Sequence, residues 1–292
     1  MRDMEYIIPG SLEEALSAYA DHAPRHRTRL LAGGTDFVCE IKDGVDCPTA
    51  VIQINHLREL RGIELRDGRV HIGAATTWRD VELSPLVRER VPLLHLVTGQ
   101  FASVQIRVMA TVGGNLATAS PAGDGIPPLF ALDAELTLRS ARGVRRVPIG
   151  QFYLDRRRTV LAPDEMITAV DLPLPDPDEI PFFIKLGQRA SLNIAKVSVC
   201  GLTAFNGAGA VRKVRVAYGA VTPVIRRGRR VEEFIRGKRL TPEVLEAAAD
   251  LAMSEVTPIS DLRSTDSYRR RMTGVLLKRG LLQCAAQAGC GG

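Results

Sequence analysis

Two double-glycine turns about eighty residues apart constrain this chain more than any other feature: Ala32-Gly33-Gly34-Thr35-Asp36 and Thr111-Val112-Gly113-Gly114-Asn115. Glycine accepts positive φ and lets a ligand or a second backbone approach where a Cβ would stand in the way, and successive N–H groups in such turns form a concavity for an anion. Thr and Asn beside the glycines add side-chain hydrogen bonds, a combination suited to a diphosphate. Taken singly, either turn reads first as a plain loop. Taken together, with the small-residue run Ala117-Thr118-Ala119-Ser120-Pro121-Ala122-Gly123-Asp124 behind the second, they point to one bound dinucleotide.

Local patterning places both turns between regular elements. Arg29-Leu30-Leu31-Ala32 reads as a strand delivering the first turn and Asp36 to Ile41 as a helix leaving it, an order that aims N–H groups at an anion. Ahead of it lie a strand at Tyr6-Ile7-Ile8 and a capping box, Ser11-Leu12-Glu13-Glu14, in which Glu14 reaches back to Ser11; Leu12, Ala15, Leu16 and Tyr19 then share a helical face. A strand from Ala50 to Ile54 closes this lobe. Asp67-Gly68 is the best hairpin signal in the sequence, because it tolerates the positive φ of a tight turn between two alternating runs. A short helix near Trp78 is followed by a long one from about Leu93 to Ala110, with Phe101 and Gln105 on one face, ending at the second turn. A hairpin around Arg142-Gly143 finishes the second lobe. Pro173, Pro175, Pro177 and Pro181 mark a linker. Beyond it, alternation at Lys196 to Cys200 and Val211 to Val216 gives antiparallel strands; helices start at Thr241-Pro242-Glu243 and run from Ser267 to about Cys284. The domains expected are 1–55, 56–175 and 176–292.

Composition excludes several classes. Hydrophobic content of 45% with mean hydropathy +0.01 suits a large core, and no apolar run approaches the roughly 20 residues that cross a bilayer. Met1-Arg2-Asp3-Met4-Glu5 lacks the apolar core of a signal peptide, so the chain reads as cytoplasmic, or exported only as a passenger on a partner. Cys39, Cys47, Cys200, Cys284 and Cys290 form no CxxC, and His22, His26, His56, His71 and His95 form no HxH or HExxH, so no metal site is expected on this chain; Cys284 and Cys290 are placed in a disordered tail. The net charge of +6 comes with arginine groups at 145–146, 156–158, 226–230 and 269–271. With aromatic residues at 5% and none interleaved with those arginines, no nucleic-acid platform forms, and the groups read as solvated faces or subunit contacts.

On these motifs the chain resembles, over nearly its whole length, the FAD-binding medium subunit of the molybdenum hydroxylases, which include carbon monoxide dehydrogenase, xanthine dehydrogenase and 4-hydroxybenzoyl-CoA reductase. The resemblance implies an α+β fold: a two-lobed FAD-binding domain of the PCMH (vanillyl-alcohol-oxidase-like) type, followed by a C-terminal antiparallel sheet with helices. It implies FAD between the two lobes, with Leu31, Ala32, Gly33, Gly34, Thr35 and Asp36 on one side of the diphosphate and Thr111, Val112, Gly113, Gly114 and Asn115 on the other. Ser120 and Asp124 match the segment whose aspartate binds the adenosine part. Phe101 matches an aromatic position near the flavin, or is a core aromatic; Met166 and Ile167 match an apolar pair beside the cofactor, or are ordinary core; Lys185 matches a cofactor-proximal lysine able to stabilise an anionic reduced flavin. Arg189 to Ala195 resembles the opening of the C-terminal domain with Asn193 for a commoner aspartate, and Ser260 to Arg263 with Tyr268-Arg269 is a structural match. The cysteine-bearing insertion that holds a [4Fe–4S] cluster in relatives of 4-hydroxybenzoyl-CoA reductase has no counterpart in this sequence.

The implied function is electron transfer within an oxidoreductase complex, with no catalytic side chain on this chain. A large molybdopterin-binding subunit and a small subunit with two [2Fe–2S] clusters are the implied partners, in a dimer of heterotrimers, a heterohexamer. A stand-alone flavin-dependent oxidase or reductase and a non-catalytic dinucleotide-binding scaffold remain the alternatives. A Rossmann-type NAD enzyme fits less well, since no GxGxxG follows a strand with an acidic residue about twenty positions on.

Overall fold

The computed structural model describes residues 4–24, 27–189 and 192–290; His26, Ala190, Ser191 and the first three residues of the N-terminal stretch lie outside the described residues. In chain order the elements begin β1 (Glu5–Ile7), α1 (Leu12–His22), β2 (Thr28–Leu31), α2 (Phe37–Lys42), β3 (Ala50–Gln53), β4 (Ile63–Arg66), β5 (Arg69–Gly73), α3 (Trp78–Leu83) and α4 (Pro85–Arg90). They continue with α5 (Pro92–Thr98), α6 (Val104–Met109), α7 (Val112–Thr118), α8 (Ile126–Ala131), β6 (Glu135–Ser140), β7 (Gly143–Pro148), β8 (Tyr153–Asp155), β9 (Arg158–Thr159) and β10 (Met166–Pro173). The last are β11 (Ile180–Leu186), β12 (Val197–Phe205), β13 (Val211–Gly219), β14 (Arg226–Arg227), α9 (Arg229–Ile235), α10 (Pro242–Glu255) and α11 (Asp266–Gln287).

These elements form two compact units. The first comprises Met1–Leu86, Ser103–Ala119 and Ala134–Pro173, the second Val87–Ala102, Ser120–Asp133 and Leu174–Gly292. The segments 87–102 and 120–133, which sequence patterning groups with residues 56–175, therefore cluster with the C-terminal part.

The first unit holds a three-stranded parallel sheet, β1-β3-β2, and a five-stranded antiparallel sheet, β4-β5-β10-β6-β7. Leu12, Ala15 and Leu16 of α1 bury against Ile52, Ile54, Leu57 and Leu60. Ser11 caps α1 by accepting from Glu14 N at 3.2 Å, but the Glu14 carboxylate accepts from Gly10 N at 2.6 Å, one residue before the reciprocal partner of a capping box. Asp67 and Gly68, at φ +50 and +70, make the hairpin turn between β4 and β5. The long helix expected up to Ala110 is two: α5 stops at Gly99, Ala102 sits at φ +44, and Ser103 caps α6 by accepting from Ile106 N at 3.2 Å. Phe101 thus lies in the connection, off the helical face with Gln105.

In the second unit, β11-β12-β13-β14 form an antiparallel sheet. Strand alternation sends Phe182, Ile184, Val197, Val199, Val214 and Val216 into one core with Leu245, Leu276, Leu277 and Leu281 of the long helices. Pro181 lies inside β11, not in a linker; β11 is an edge strand, where a missing N–H costs no ladder bond. Cys284 is core rather than tail: it is buried on α11, its thiol donates to Ile180 O at 3.4 Å, and burial pushes it up to about 12. Arg146, Arg156, Arg158, Arg226 and Arg271 are exposed, as expected of solvated faces, while other members of the arginine groups make ties, with the side chains of Arg227 and Arg269 buried. Arg145 pairs with Glu165 at 2.7 Å, Arg227 with Glu232 at 2.6 Å, Arg269 with Asp261 at 2.6 Å, and Arg270 donates to Val256 O at 2.7 Å.

The Phe182 ring fits a slot made by two glycines. A Cβ on Gly280 of α11 would lie 2.2 Å from the ring, and one on Gly201, its cross-strand partner on β12, 2.8 Å from it. Gly280→Val should therefore overpack the slot and cost about 1–3 kcal/mol, read as a lower urea midpoint at unchanged m-value.

Candidate functional site

The first unit builds its two glycine motifs against each other, by different means. β2 ends at Leu31, whose carbonyl accepts from Ile54 N at 2.9 Å, and the chain turns through Gly34 at φ +73 into α2. A Cβ on Gly33 would stand 2.0 Å from Met109 O and 3.0 Å from Ala110 Cα, so only glycine fits against the backbone leading into the second motif. Among the described residues no protein group accepts from the N–H groups of Gly33, Gly34 or Thr35.

The second motif lies inside α7 rather than in a loop, and its amides are already taken. Val112 N donates to Thr76 O at 3.0 Å, Gly113 N to Ala74 O at 2.8 Å, Gly114 N to the capping Thr111 Oγ1 at 3.1 Å and Asn115 N to Thr111 O at 3.0 Å. This corrects the expectation that both Gly-Gly pairs present N–H groups to a diphosphate. Gly113 is a close-packing residue, since its Cβ would stand 2.7 Å from Ala74 Cβ. What this motif offers instead is Asn115 Oδ1, which is buried and has no hydrogen-bond partner among the described residues. Thr118 Oγ1 at the end of α7 donates to Asp36 Oδ2 at 3.1 Å, so Asp36 ties the two motifs together. β10 supports the arrangement from behind: Thr168 O, at a bulge, accepts from Ala74 N at 2.9 Å. Of the neighbouring apolar pair, Met166 packs into the core of Leu12, Leu16 and Ile52, and Ile167 is buried as well.

The remaining predicted residues gather in the second unit. Alternation along β11 turns Lys185 to the face opposite Phe182 and Ile184. There its Nζ pairs with Asp124 Oδ2 at 2.6 Å and donates to Gln100 O at 3.2 Å, next to the buried Phe101. The Lys185 and Asp124 side chains are only 5% and 11% exposed, and among the described residues Asp124 Oδ1 has no partner. Burial outweighs the ammonium beside it, so the Asp124 carboxyl is pushed up to about 6. The residues expected at adenosine, Asp124, and at the flavin, Lys185, are thus in direct contact with each other. Ser120 shapes the turn before α8: its Oγ accepts from Ala122 N at 3.4 Å and its carbonyl from Gly123 N at 3.0 Å.

Each set fits part of FAD. Free N–H groups suit a diphosphate, and unpartnered acceptor oxygens, each costing about 1–3 kcal/mol when buried alone, suit ligand hydroxyls or the flavin imide N–H. Among the described residues no group of three or more His, Cys, Asp or Glu is placed to hold a metal ion, and no helix is long and apolar enough to cross a membrane. Sequence reasoning missed Thr118 and the Gln100 carbonyl, whose partners lie 82 and 85 residues away in the chain.

Comparison with known proteins bears on the family and its cofactor. Residues 2–175 match the family described as FAD binding domain in molybdopterin dehydrogenase, and residues 182–284 that described as CO dehydrogenase flavoprotein C-terminal domain. The chain is 33% identical over 285 residues to the nicotinate dehydrogenase FAD-subunit of Eubacterium barkeri, covering 96% of this chain and 95% of that one. It is 30% identical to the xanthine dehydrogenase FAD-binding subunit of Escherichia coli O157:H7, covering 97% of each. A chain of carbon monoxide dehydrogenase from Hydrogenophaga pseudoflava, solved in a form lacking the Mo-pyranopterin moiety of the molybdenum cofactor, superposes with a TM-score of 0.92 at 31% identity, covering 97% of this chain and 98% of that one.

The buried carboxyl makes a pH prediction. Its folded pKa of about 6 lies above the ordinary 3.8, so the native chain takes up a proton where the unfolded chain does not. The Asp124 contribution to stability is therefore fully present below about pH 4 and is lost as pH rises through about 6, by roughly 3 kcal/mol at most. Urea unfolding of the wild type and Asp124→Asn, compared from about pH 4 to about pH 7, should show the wild type losing stability relative to the variant across that window.

Proposed function

The chain belongs to the family of FAD-binding medium subunits of molybdopterin-dependent dehydrogenases, and on that footing we propose that it passes electrons from a partner subunit of such a complex to an external acceptor. In this reading a small partner with two [2Fe–2S] clusters delivers electrons, a large molybdopterin-binding partner oxidises the substrate, and an external acceptor receives the electrons from this chain. The assembly is a dimer of heterotrimers in the cytoplasm and engages no nucleic acid. Residues 1–55 and 56–175 act as the two cofactor lobes and 176–292 as the C-terminal domain. The observation that carries this reading is the set of free amides at Gly33, Gly34 and Thr35 in the unit that also holds the unpartnered Asn115 Oδ1.

FAD, when bound, takes up electrons singly and gives them up in pairs. The residues of this chain do the holding and the tuning. Gly33, Gly34 and Thr35 donate to the diphosphate, with Leu31 and Ala32 delivering the turn and Asp36 fixing it through Thr118. Thr111, Val112, Gly113 and Gly114 build the first turn of α7 and present Asn115, which accepts from a ligand donor. Met166 and Ile167 form the apolar backing. Lys185 sets positive charge beside the reduced cofactor, Asp124 holds Lys185 in place, and Phe101 and Ser120 shape the surroundings of that pair. The electrostatic environment, rather than a nucleophile or a proton-abstracting base, is the contribution of the protein.

The complex purified with its partners should show one FAD per copy of this chain, identified after acid release, together with iron–sulfur absorbance and molybdenum; a well-folded but colourless complex would overturn the proposal. Asn115→Ala separates binding from folding. Removing a partnerless buried acceptor leaves the stability of the flavin-free chain unchanged or slightly raised, whereas losing its ligand contact weakens FAD retention about tenfold, read by equilibrium dialysis against FAD.

A further inference from the structure

Helix α2 follows directly on the free amides of the first glycine turn, yet none of its six residues is fully buried. Polar contacts hold it instead. Asp36, at its start, accepts from Thr118 Oγ1 at 3.1 Å. Glu40, in its middle, accepts from Arg157 Nη1 at 2.7 Å and lies 3.5 Å from Arg29 Nη2, whose Nε reaches Asp46 at 3.1 Å.

Arg157 stands at the tip of the β8–β9 hairpin, and that hairpin is fastened to α7. Tyr153 Oη donates to Leu116 O at 3.2 Å, and Arg157 N donates to Ala119 O at 3.2 Å. Arg157 and Ala119 both occupy the left-handed region, at φ +55 and +51, without being glycine. Such a conformation persists only where surrounding contacts over-determine it. The hairpin tip thus spans from the C-terminal end of α7, the helix bearing Asn115, to Glu40 of α2, the helix behind the free amides.

We propose that Arg157 is a positioning residue for the cofactor: through Glu40 it fixes α2, and with it the amides of Gly33, Gly34 and Thr35, relative to α7. The inference rests on the reading that those amides hold the FAD diphosphate. The Glu40 side chain is 19% exposed and that of Arg157 53%, so the pair is charge-assisted but open to screening by salt. With no fully buried side chain on α2, loss of this pair shifts the turn rather than the core.

The test is the rate of FAD release from the FAD-loaded full chain, followed by the rise in flavin fluorescence on dilution. Arg157→Gln and Glu40→Gln keep their Cβ atoms, so the backbone at both positions is unaltered. Each should release FAD about threefold to tenfold faster, and the double variant no faster than either single one. Arg157→Lys, which keeps the charge, should stay within about twofold of the wild type. Added sodium chloride should speed release from the wild type by a larger factor than release from Arg157→Gln, which keeps the Arg29 pairs, a difference that a purely structural role would not produce. The flavin-free melting temperature of Arg157→Gln should match the wild type. Release at the wild-type rate, or faster release with additive effects and a lowered flavin-free melting temperature, overturns the proposal. Gly34→Val, at φ +73, tells the two readings apart. If it retains FAD like the wild type, the placement of the diphosphate fails and the role of Arg157 falls with it; if it loses FAD while Arg157→Gln behaves as wild type, only the role of Arg157 fails.

Discussion

Backbone pressed on backbone is the constraint on which the first unit depends. A side chain at Gly33 would collide with the Met109 carbonyl, one at Gly73 with the Leu60 carbonyl at 2.4 Å, and one at Gly113 with Ala74. These three contacts fasten the segment after β5 and the segment from α6 into α7 against β2 and a 3-10 turn at Arg58–Leu60. The ladder Thr168 O to Ala74 N, Ala74 O to Gly113 N, Thr76 O to Val112 N and Ala110 O to Trp78 N follows from that closeness. Glycine at 33 and 113 is thus demanded by the fold before any ligand is considered. The ligand uses what the packing leaves over: the amides of the first turn, which no strand or helix claims, and a single asparagine oxygen on the first turns of α7.

The second unit solves a different problem with the simplest rule of a strand. Alternation along β11 sends Phe182 and Ile184 into the core and leaves Lys185 on the reverse face with Asp124. Taking a carboxylate and an ammonium out of water is costly, and here the cost to the carboxylate exceeds the attraction of its partner. A pair of this kind adds little to stability. Its value lies in being tunable, because a charge or a donor arriving nearby shifts the balance between the neutral and ionised carboxyl.

Elements with a local cause were legible in the sequence: Asp67-Gly68 makes its turn, Ser11 and Thr241 cap their helices, and Pro242 opens α10. The glycine motifs were legible as places where backbone must come close, but not what comes close. Whether the amides of Gly113 and Gly114 are free depends on Ala74 and Thr76, and on a helix starting at Val112, none of which the Gly-Gly spacing announces. The break between α5 and α6 was marked by Gly99 and Ser103, signals outweighed in a window of otherwise helical pattern. Lys185 and Asp124 were recognised singly, yet a separation of 61 residues hid that they touch; the pairing of Arg157 with Glu40, 117 residues apart, left no local trace at all. Within arginine groups that are mostly exposed, Arg227 and Arg269 are buried ties that no linear reading separates from their neighbours, because a guanidinium finds its carboxylate in space and not along the chain.

The slot that holds Phe182 has a bearing on how such a chain diverges. Its ring, Gly201 on the adjacent strand and Gly280 on the last helix come from three separate stretches; the ring alone holds position 280 to glycine, whereas position 201 is held also by the Arg215 carbonyl, 2.3 Å from where a Cβ would stand. A smaller side chain at 182 would open room for a methyl group at 280, and once that methyl group is fixed the original phenylalanine has no way back. Descendants that take different first steps at this triad are committed to different cores, even while the strand order and the face bearing Lys185 stay the same.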